Sequence, residues 1–196
     1  MTTPSEHLSE KTSEHLSEQH SDRTLDIVTY NQNSLNNLRR AVVLGQGQFS
    51  LILARANYQQ LRQVLLTTLD EHLQLDIVNI PPDATNLRET IDTSQSSASR
   101  VLSLPINRTK ALMLTGLENV SAKSPHPKQP SPIEKLFKTV NLGRDELLKR
   151  FPYPVVLWVN DTVLQQLNRY APDLKSFAAT PIRFEYPTPA LMAVLS

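Results

Sequence analysis

Two arginines and an asparagine surround a junction at which a buried strand is predicted to run directly into a helix. The junction lies in the stretch FSLILARANYQQL (49–61), where Arg55 and Asn57, with Arg62 just beyond, could contact an anionic ligand. The free backbone N–H groups of a helix N-terminus attract anions, and arginine adds a formal charge. Asn57 is also suited to cap the helix with Gln60 as its capping-box partner, and the arginines could equally lie on the surface.

The same junction lacks what a phosphate-binding loop requires. Such a loop needs glycines so that backbone N–H groups can surround phosphates, a lysine for charge, and a Ser or Thr for magnesium. The chain has four glycines, and none begins the pattern G-x-x-x-x-G-K-[ST]. Gly45 and Gly47 precede the strand, and the turn at 55–57 is too short to surround a triphosphate. We therefore expect no cofactor, with ATP and magnesium at an atypical site as the alternative.

Arg144 is a charged residue in an unusual position. It falls between Val140 and Leu147 on the apolar face of a predicted helix, where a charge is costly unless it is paired. Arg144 could contact a phosphate or a partner's carboxylate. It could instead bridge to the edge of its own helix near Asp145.

Composition excludes several classes of function. The chain carries 20 Lys and Arg against 19 Asp and Glu, so its charge of +1 gives no reason to expect nucleic acid or an anionic membrane as partner. It has no cysteine, which excludes disulfides and thiol catalysis. His72 and His126 are isolated and predict no metal site, whereas His7, His15 and His20 could bind a metal weakly, with a solvated linker as the favoured interpretation. The N-terminus lacks the apolar core of a signal peptide, and no apolar run approaches the roughly 18 residues of a membrane span. We expect a soluble, cytoplasmic protein.

The sequence divides into three regions. Residues 1–32 are predicted to be a disordered, low-complexity tail, in which SEHLSEKT (5–12) is followed by the near-repeat SEHLSEQH (13–20). This tail has too few apolar residues to offset the entropy of ordering. A folded domain is predicted at residues 33–187, followed by a C-terminal linker or tail at 188–196.

Strands and helices alternate along the domain. Apolar runs predict five strands, at residues 49–56, 75–80, 111–114, 154–159 and 182–186. Helices are predicted after Ser34, Asn57, Asp83, Ser131 and Asn160 or Asp161 as caps, with a loop at 92–100 and one helix from 132 to Phe151. This order favours an α/β fold with an open, mostly parallel five-stranded sheet and helices on both faces. Ligands would then bind at the carboxyl ends of the strands.

Several of these segments resemble a known family. The run NLGRDELLKRFPYPVVLWVNDTVLQQLNRYAPDLKSF (141–177) with IRFEYP (182–187) resembles the end of an NTPase-like domain. That domain precedes tetratricopeptide repeats in bacterial, often cyanobacterial, signalling proteins. GQFSLILARANYQQLRQ (47–63) and ALMLTGLENV (111–120) are similar to its early segments, so the resemblance spans about residues 34–187. It implies a P-loop-type, AAA+/STAND-like fold with a regulatory or scaffolding role, in a truncated or split member of the family.

The resemblance also implies roles for two residues. In such domains an acid after the third strand holds magnesium, and a polar residue after the fourth senses the terminal phosphate. Glu118 follows its strand a few residues late, so it is either a metal ligand or a solvated loop carboxylate. Asn160 matches the sensor position and equally suits a helix cap. The candidates for catalysis are thus Glu118, Asn160 and Arg144, and those for cofactor binding are Asn57, Arg55, Arg62 and Asn160.

These patterns predict a non-catalytic, NTPase-like module with a degenerate phosphate loop, which regulates or binds other proteins. Its tail and the proline-rich loop at 119–132 would contact repeat domains or signalling partners. Nucleic acid and membranes are not expected as partners. The alternative is an ATP-binding protein or weak ATPase with an atypical phosphate site.

Overall fold

The computed structural model describes residues 6–71, 73–98, 110–124, 126 and 128–186, with side chains from residue 25 onward except at 96–98. The strands are β1 (Ser50–Ala56), β2 (Gln74–Asn79), β3 (Lys110–Thr115), β4 (Pro154–Val159) and β5 (Ile182–Phe184). The helices are α1 (Glu6–Leu44), α2 (Gln59–Asp70), α3 (Leu87–Ala98), α4 (Pro132–Leu142), α5 (Arg144–Arg150), α6 (Asp161–Tyr170) and α7 (Pro172–Ser176), with a short 3-10 helix at Leu117–Asn119.

The five strands form one parallel sheet in the order β2-β3-β4-β1-β5. This confirms the predicted α/β class and the five-stranded parallel sheet. The chain enters at β1, crosses to the far edge at β2, and returns strand by strand through β3 and β4. From β4 it passes over β1 to reach β5 at the other edge.

Helices cover both faces of the sheet, because successive side chains of a strand point to opposite faces. On one face, α1 and α2 pack on Ile52, Met113 and Trp158. On the other face, α3 to α7 pack on the alternate residues, such as Leu53 and Leu157. All six residues of β4 are buried, as expected for a central strand covered on both sides.

Helix α4 begins as its sequence predicts but ends early. The side chain of Ser131 accepts a hydrogen bond from the N–H of Glu134 at 3.4 Å, which confirms Ser131 as the N-cap. The predicted single helix to Phe151 is wrong, because α4 ends at Leu142 and α5 starts after Gly143. Glycine is a poor interior helix residue, which makes this position a natural break.

Helix α3 occupies much of a predicted loop. Asn86, rather than the predicted Asp83, caps it by accepting from the N–H of Arg88 at 3.1 Å. The helix continues to Ala98, through most of the polar stretch predicted to be a loop, and Asp92 in this stretch forms an ion pair with Arg150 of α5. Thr90 and Thr93 each donate to the main-chain carbonyl four residues earlier, both at 2.9 Å.

Helix α1 begins at Glu6, so the predicted helix start at Ser34 falls inside it. Leu38 and Val42 are fully buried, as their spacing predicts. The side chain of Asn31 donates to the carbonyl of Glu185 at 2.7 Å and accepts from its N–H at 2.8 Å. Asn31, inside the predicted tail, therefore contacts the segment that directly follows β5.

Two of the predicted regions lie wholly or partly outside the residues that the structure describes. Residues 1–5 and the side chains of 6–24, which hold the duplicated segment, lie outside the described residues, as does the predicted linker at 188–196. Across the part of the chain that is described, no helix is long and apolar enough to span a membrane.

Candidate functional site

The sheet has a topological switch point between β1 and β4. The connection through α2 leaves β1 toward β2, on one face, whereas the connection through α6 leaves β4 toward β5, on the other face. In open α/β sheets, ligands bind in the crevice outside the carboxyl ends of two such strands. The carboxyl ends of β1 and β4 carry Arg55, Asn57 and Asn160, which are three of the residues that the sequence singles out.

Arg55 and Asn57 are joined to Asp161 across this crevice, and we call these three residues the clasp. The Asn57 side-chain amide donates to the Asp161 carboxylate at 2.9 Å, and its oxygen accepts from the Asp161 N–H at 3.0 Å. Arg55 forms an ion pair with the same carboxylate. The hydrogen bond from Arg55 first, and that from Asn57 second, hold the pKa of Asp161 below its usual range. The polar groups facing the crevice therefore bind one another.

The predicted cap of α2 is wrong. Tyr58, not Asn57, is the N-cap residue, and its side chain makes no capping hydrogen bond. Asn57 instead holds the first residue of α6, from the neighbouring strand's connection. Only Asn57 and Tyr58 separate the end of β1 from the start of α2, so the junction is as short as the sequence indicates.

A second ion pair lies beside the clasp. Arg62 of α2 pairs with Glu118, which follows β3 in the short 3-10 helix. Their side chains are 8% and 18% exposed, so the pair is largely removed from water. The second carboxylate oxygen of Glu118 is buried and has no hydrogen-bond partner among the described residues. Glu118 is therefore a partly buried partner of the buried Arg62, so it is not a solvated carboxylate and Arg62 is not a surface arginine.

Asn160 caps α6, as one of its two predicted roles requires. Its side-chain oxygen accepts from the N–H of Val163 at 2.8 Å. Asn160 and Glu118 also line one open groove of about 350 Å³, together with Lys123 and Gln166. The structure thus brings Glu118 and Asn160 to the same groove, close to the switch point.

The cap can be tested by substitution. Asn160→Ala is expected to lower the free energy of unfolding by about 1 kcal/mol, because an N–H at the start of α6 loses its acceptor. Asn160→Ser retains an acceptor oxygen and should remain near the wild type. Urea unfolding followed by circular dichroism measures both. Equal losses in the two variants would contradict the capping role.

Arg144 lies apart from these residues. It is the first residue of α5, where it donates to the carbonyl of Asn141 at 3.1 Å and lies 3.7 Å from Asp145 and 3.5 Å from Asp173. Helix α6 starts at the carboxyl end of β4, and Asp173 comes after this helix has ended. Arg144 is therefore at the opposite end of the domain from Asn160, and it bridges nearby carboxylates as one of its two predicted roles requires.

Sequence reasoning missed Asp161 as the centre of the clasp. Asp161 was considered only as an alternative helix cap. The available signal was weak: two polar residues, Asn57 and Asp161, each follow closely on a buried strand. Their contact depends on β1 and β4 being neighbours, which the sequence does not indicate.

Metal ligation and similarity to known proteins add little to this picture. Within the described ranges, no group of three or more His, Cys, Asp or Glu side chains is arranged to hold a metal ion. None of the known protein-family models matches this sequence, and none of the curated proteins is significantly similar to it. The resemblance to NTPase-like domains that precede tetratricopeptide repeats stays a prediction from its residues.

Proposed function

We propose that this chain is a non-catalytic, NTPase-like module that regulates or binds other proteins. The observation that carries the proposal is the clasp at the switch point. Asp161 is a carboxylate at the N-terminus of α6, where an anionic ligand would otherwise be attracted. Arg55, which could neutralise a phosphate, is already paired with it.

The junction supports the same conclusion. A phosphate-binding loop presents several backbone N–H groups to one phosphate, which needs glycines and chain length. Here two residues, Asn57 and Tyr58, connect β1 to α2, and neither is glycine. A triphosphate at this position would have to separate Asp161 from both of its partners and would still meet no loop able to surround it.

The expected partners are proteins. The proline-rich loop at 119–132 begins at the end of the sheet that carries the clasp, since it starts at the short 3-10 helix after β3. Its Lys123, Ser124 and Lys128 are exposed and therefore accessible to a partner. The proposed location of the chain is the cytoplasm.

Calorimetry with ATP and ADP, each with magnesium, tests the proposal. We expect no binding stronger than a dissociation constant of about 1 mM, which corresponds to about 4 kcal/mol. Micromolar binding that disappears in Asn160→Ala and persists in Arg144→Ala would contradict it. Arg144→Ala serves as the control because Arg144 lies at the far end of the domain.

An atypical ATP-binding protein or weak ATPase is the second candidate. The observation that favours it is the groove of about 350 Å³ that Glu118 and Asn160 line together. It predicts phosphate release above background that Glu118→Gln abolishes. Absence of phosphate release, with no nucleotide binding by calorimetry, excludes this candidate and leaves the non-catalytic module.

A further inference from the structure

An open groove runs between α2 and the edge strand β2, on the face of the sheet that α1 and α2 cover. It encloses about 500 Å³ and extends from Gln59 to Asp70 along the helix. Leu66 of α2 and Ile77 of β2 provide its apolar surface. Ile77 is 49% exposed, although it lies in the middle of a strand.

The groove exists because α2 covers β2 incompletely. Among the described residues β2 pairs with β3 only, so it forms one edge of the sheet. Helix α2 crosses this face of the sheet from β1 to β2. Helix α1 packs on the same face, and no third helix packs there within the described residues. Exposed apolar groups at a sheet edge favour association with another segment of chain.

The last described residue lies beside one end of this groove. The ring of Tyr186 contacts that of Tyr58, with centroids 3.9 Å apart. Tyr58 directly precedes Gln59, where the groove begins. The chain therefore leaves the described fold at the mouth of the groove.

The residues that follow are long enough to reach along the groove, and their apolar side chains could cover Leu66 and Ile77, whereas the other lining residues are polar. Residues 187–196 read PTPALMAVLS, without a charged side chain and with six successive apolar residues at 190–195. Six extended residues, the number in 190–195, span about 20 Å. The twelve residues of α2 span about 18 Å. Two prolines at 187 and 189 favour an extended approach to the groove.

We propose that residues 190–195 of the same chain dock in the α2/β2 groove and cover Leu66 and Ile77. An uncharged segment brings no charge of its own into the groove, Arg62 at the groove wall is already paired with Glu118, and Asp70 lies at the far end of the groove, where α2 ends. Residues 187–189 tether the segment to Tyr186, and so short a tether gives the segment an effective concentration at the groove in the millimolar range. A second copy or another protein would instead lose translational and rotational freedom. This proposal does not depend on the proposed function.

Disulfide trapping in the full chain tests the docking, and the chain is suited to it because it has no cysteine. Ile77→Cys combined with Met192→Cys is expected to form an intramolecular disulfide at least tenfold faster than Leu142→Cys combined with Met192→Cys. Leu142 is 82% exposed and lies on α4, which packs on the opposite face of the sheet. Mass spectrometry and non-reducing gels distinguish the monomeric disulfide from a dimer.

A second measurement uses no new cysteine. The chain has three methionines, so the Met192 methyl group can be followed by NMR in the wild type. We expect a nuclear Overhauser contact with Ile77, lost in Ile77→Asp, a change that the exposure of Ile77 should allow without unfolding. Equal trapping rates in the two cysteine pairs, a disulfide-linked dimer, or a Met192 methyl group without this contact would each overturn the proposal.

Discussion

Glu118→Ala is expected to lower the free energy of unfolding by about 3–5 kcal/mol. The substitution removes the carboxylate that pairs with Arg62 and leaves a guanidinium buried without a partner charge. Urea unfolding measures the change, provided that the dependence of the free energy of unfolding on urea concentration is the same in the variants.

Two controls identify the cause of this loss. Replacing both partners, as in Arg62→Met with Glu118→Leu, should recover most of the stability, because no unpaired charge then remains in the interior. Arg88→Ala removes an ion pair between Arg88 and Glu146, whose side chains are 53% and 66% exposed, respectively. This exposed pair should contribute less than about 1 kcal/mol to the free energy of unfolding. If Glu118→Ala cost no more than Arg88→Ala, the pair would have no structural role.

The strands were predictable because burial on both faces of the sheet requires a local run of apolar residues. Each central strand of a covered parallel sheet reads as a continuous apolar run, and β4 shows this in all six of its residues. Ser131 and Asn160 are caps as their local pattern predicts, each accepting from an N–H three residues later. Ser34, Asn57 and Asp83 were predicted from the same kind of pattern and are not caps. The pattern of a few adjacent residues was therefore sufficient for some caps only.

The candidate site was less predictable because its contacts join distant parts of the chain. Asparagine is a common helix N-cap, yet the partner of the Asn57 side chain is Asp161, 104 residues away. Arg62 and Glu118 are 56 residues apart and meet only because α2 and the segment after β3 lie at the same end of the sheet. Strand order decides both contacts, and the periodicity of a strand contains no information about its neighbours.

Gly116 is a glycine whose role depends on its packing. It follows β3 and has a φ of 83°, a backbone conformation that glycine adopts readily. The turn at Gly116 directs the chain into the short helix that carries Glu118. Gly47 has nearly the same φ of 81°, but no atom lies within 4 Å of the position that a Cβ would occupy. The two glycines therefore differ in surrounding space and share the same backbone requirement.

Gly116→Ala is expected to destabilise the fold by about 2–5 kcal/mol, the sum of about 1–2 kcal/mol for the left-handed backbone and about 1–3 kcal/mol for overpacking. The added Cβ would lie 2.7 Å from the carbonyl oxygen of Ile80 and against the side-chain oxygen of Asn79. The backbone of Ile80 cannot retreat easily, since its N–H donates to the carbonyl of Thr115 at 2.8 Å and ties the ends of β2 and β3 together.

Gly47→Ala is the matched control for this prediction, and it should cost only the backbone part, about 1–2 kcal/mol. Thermal and urea unfolding of the two variants measure the difference, which isolates the close approach of Gly116 to Ile80. Equal losses would mean that the chain around Gly116 relaxes to admit a methyl group. A larger loss for Gly116→Ala would instead mean that the ends of β2 and β3 are rigid, and that this rigidity fixes the turn from which Glu118 reaches Arg62.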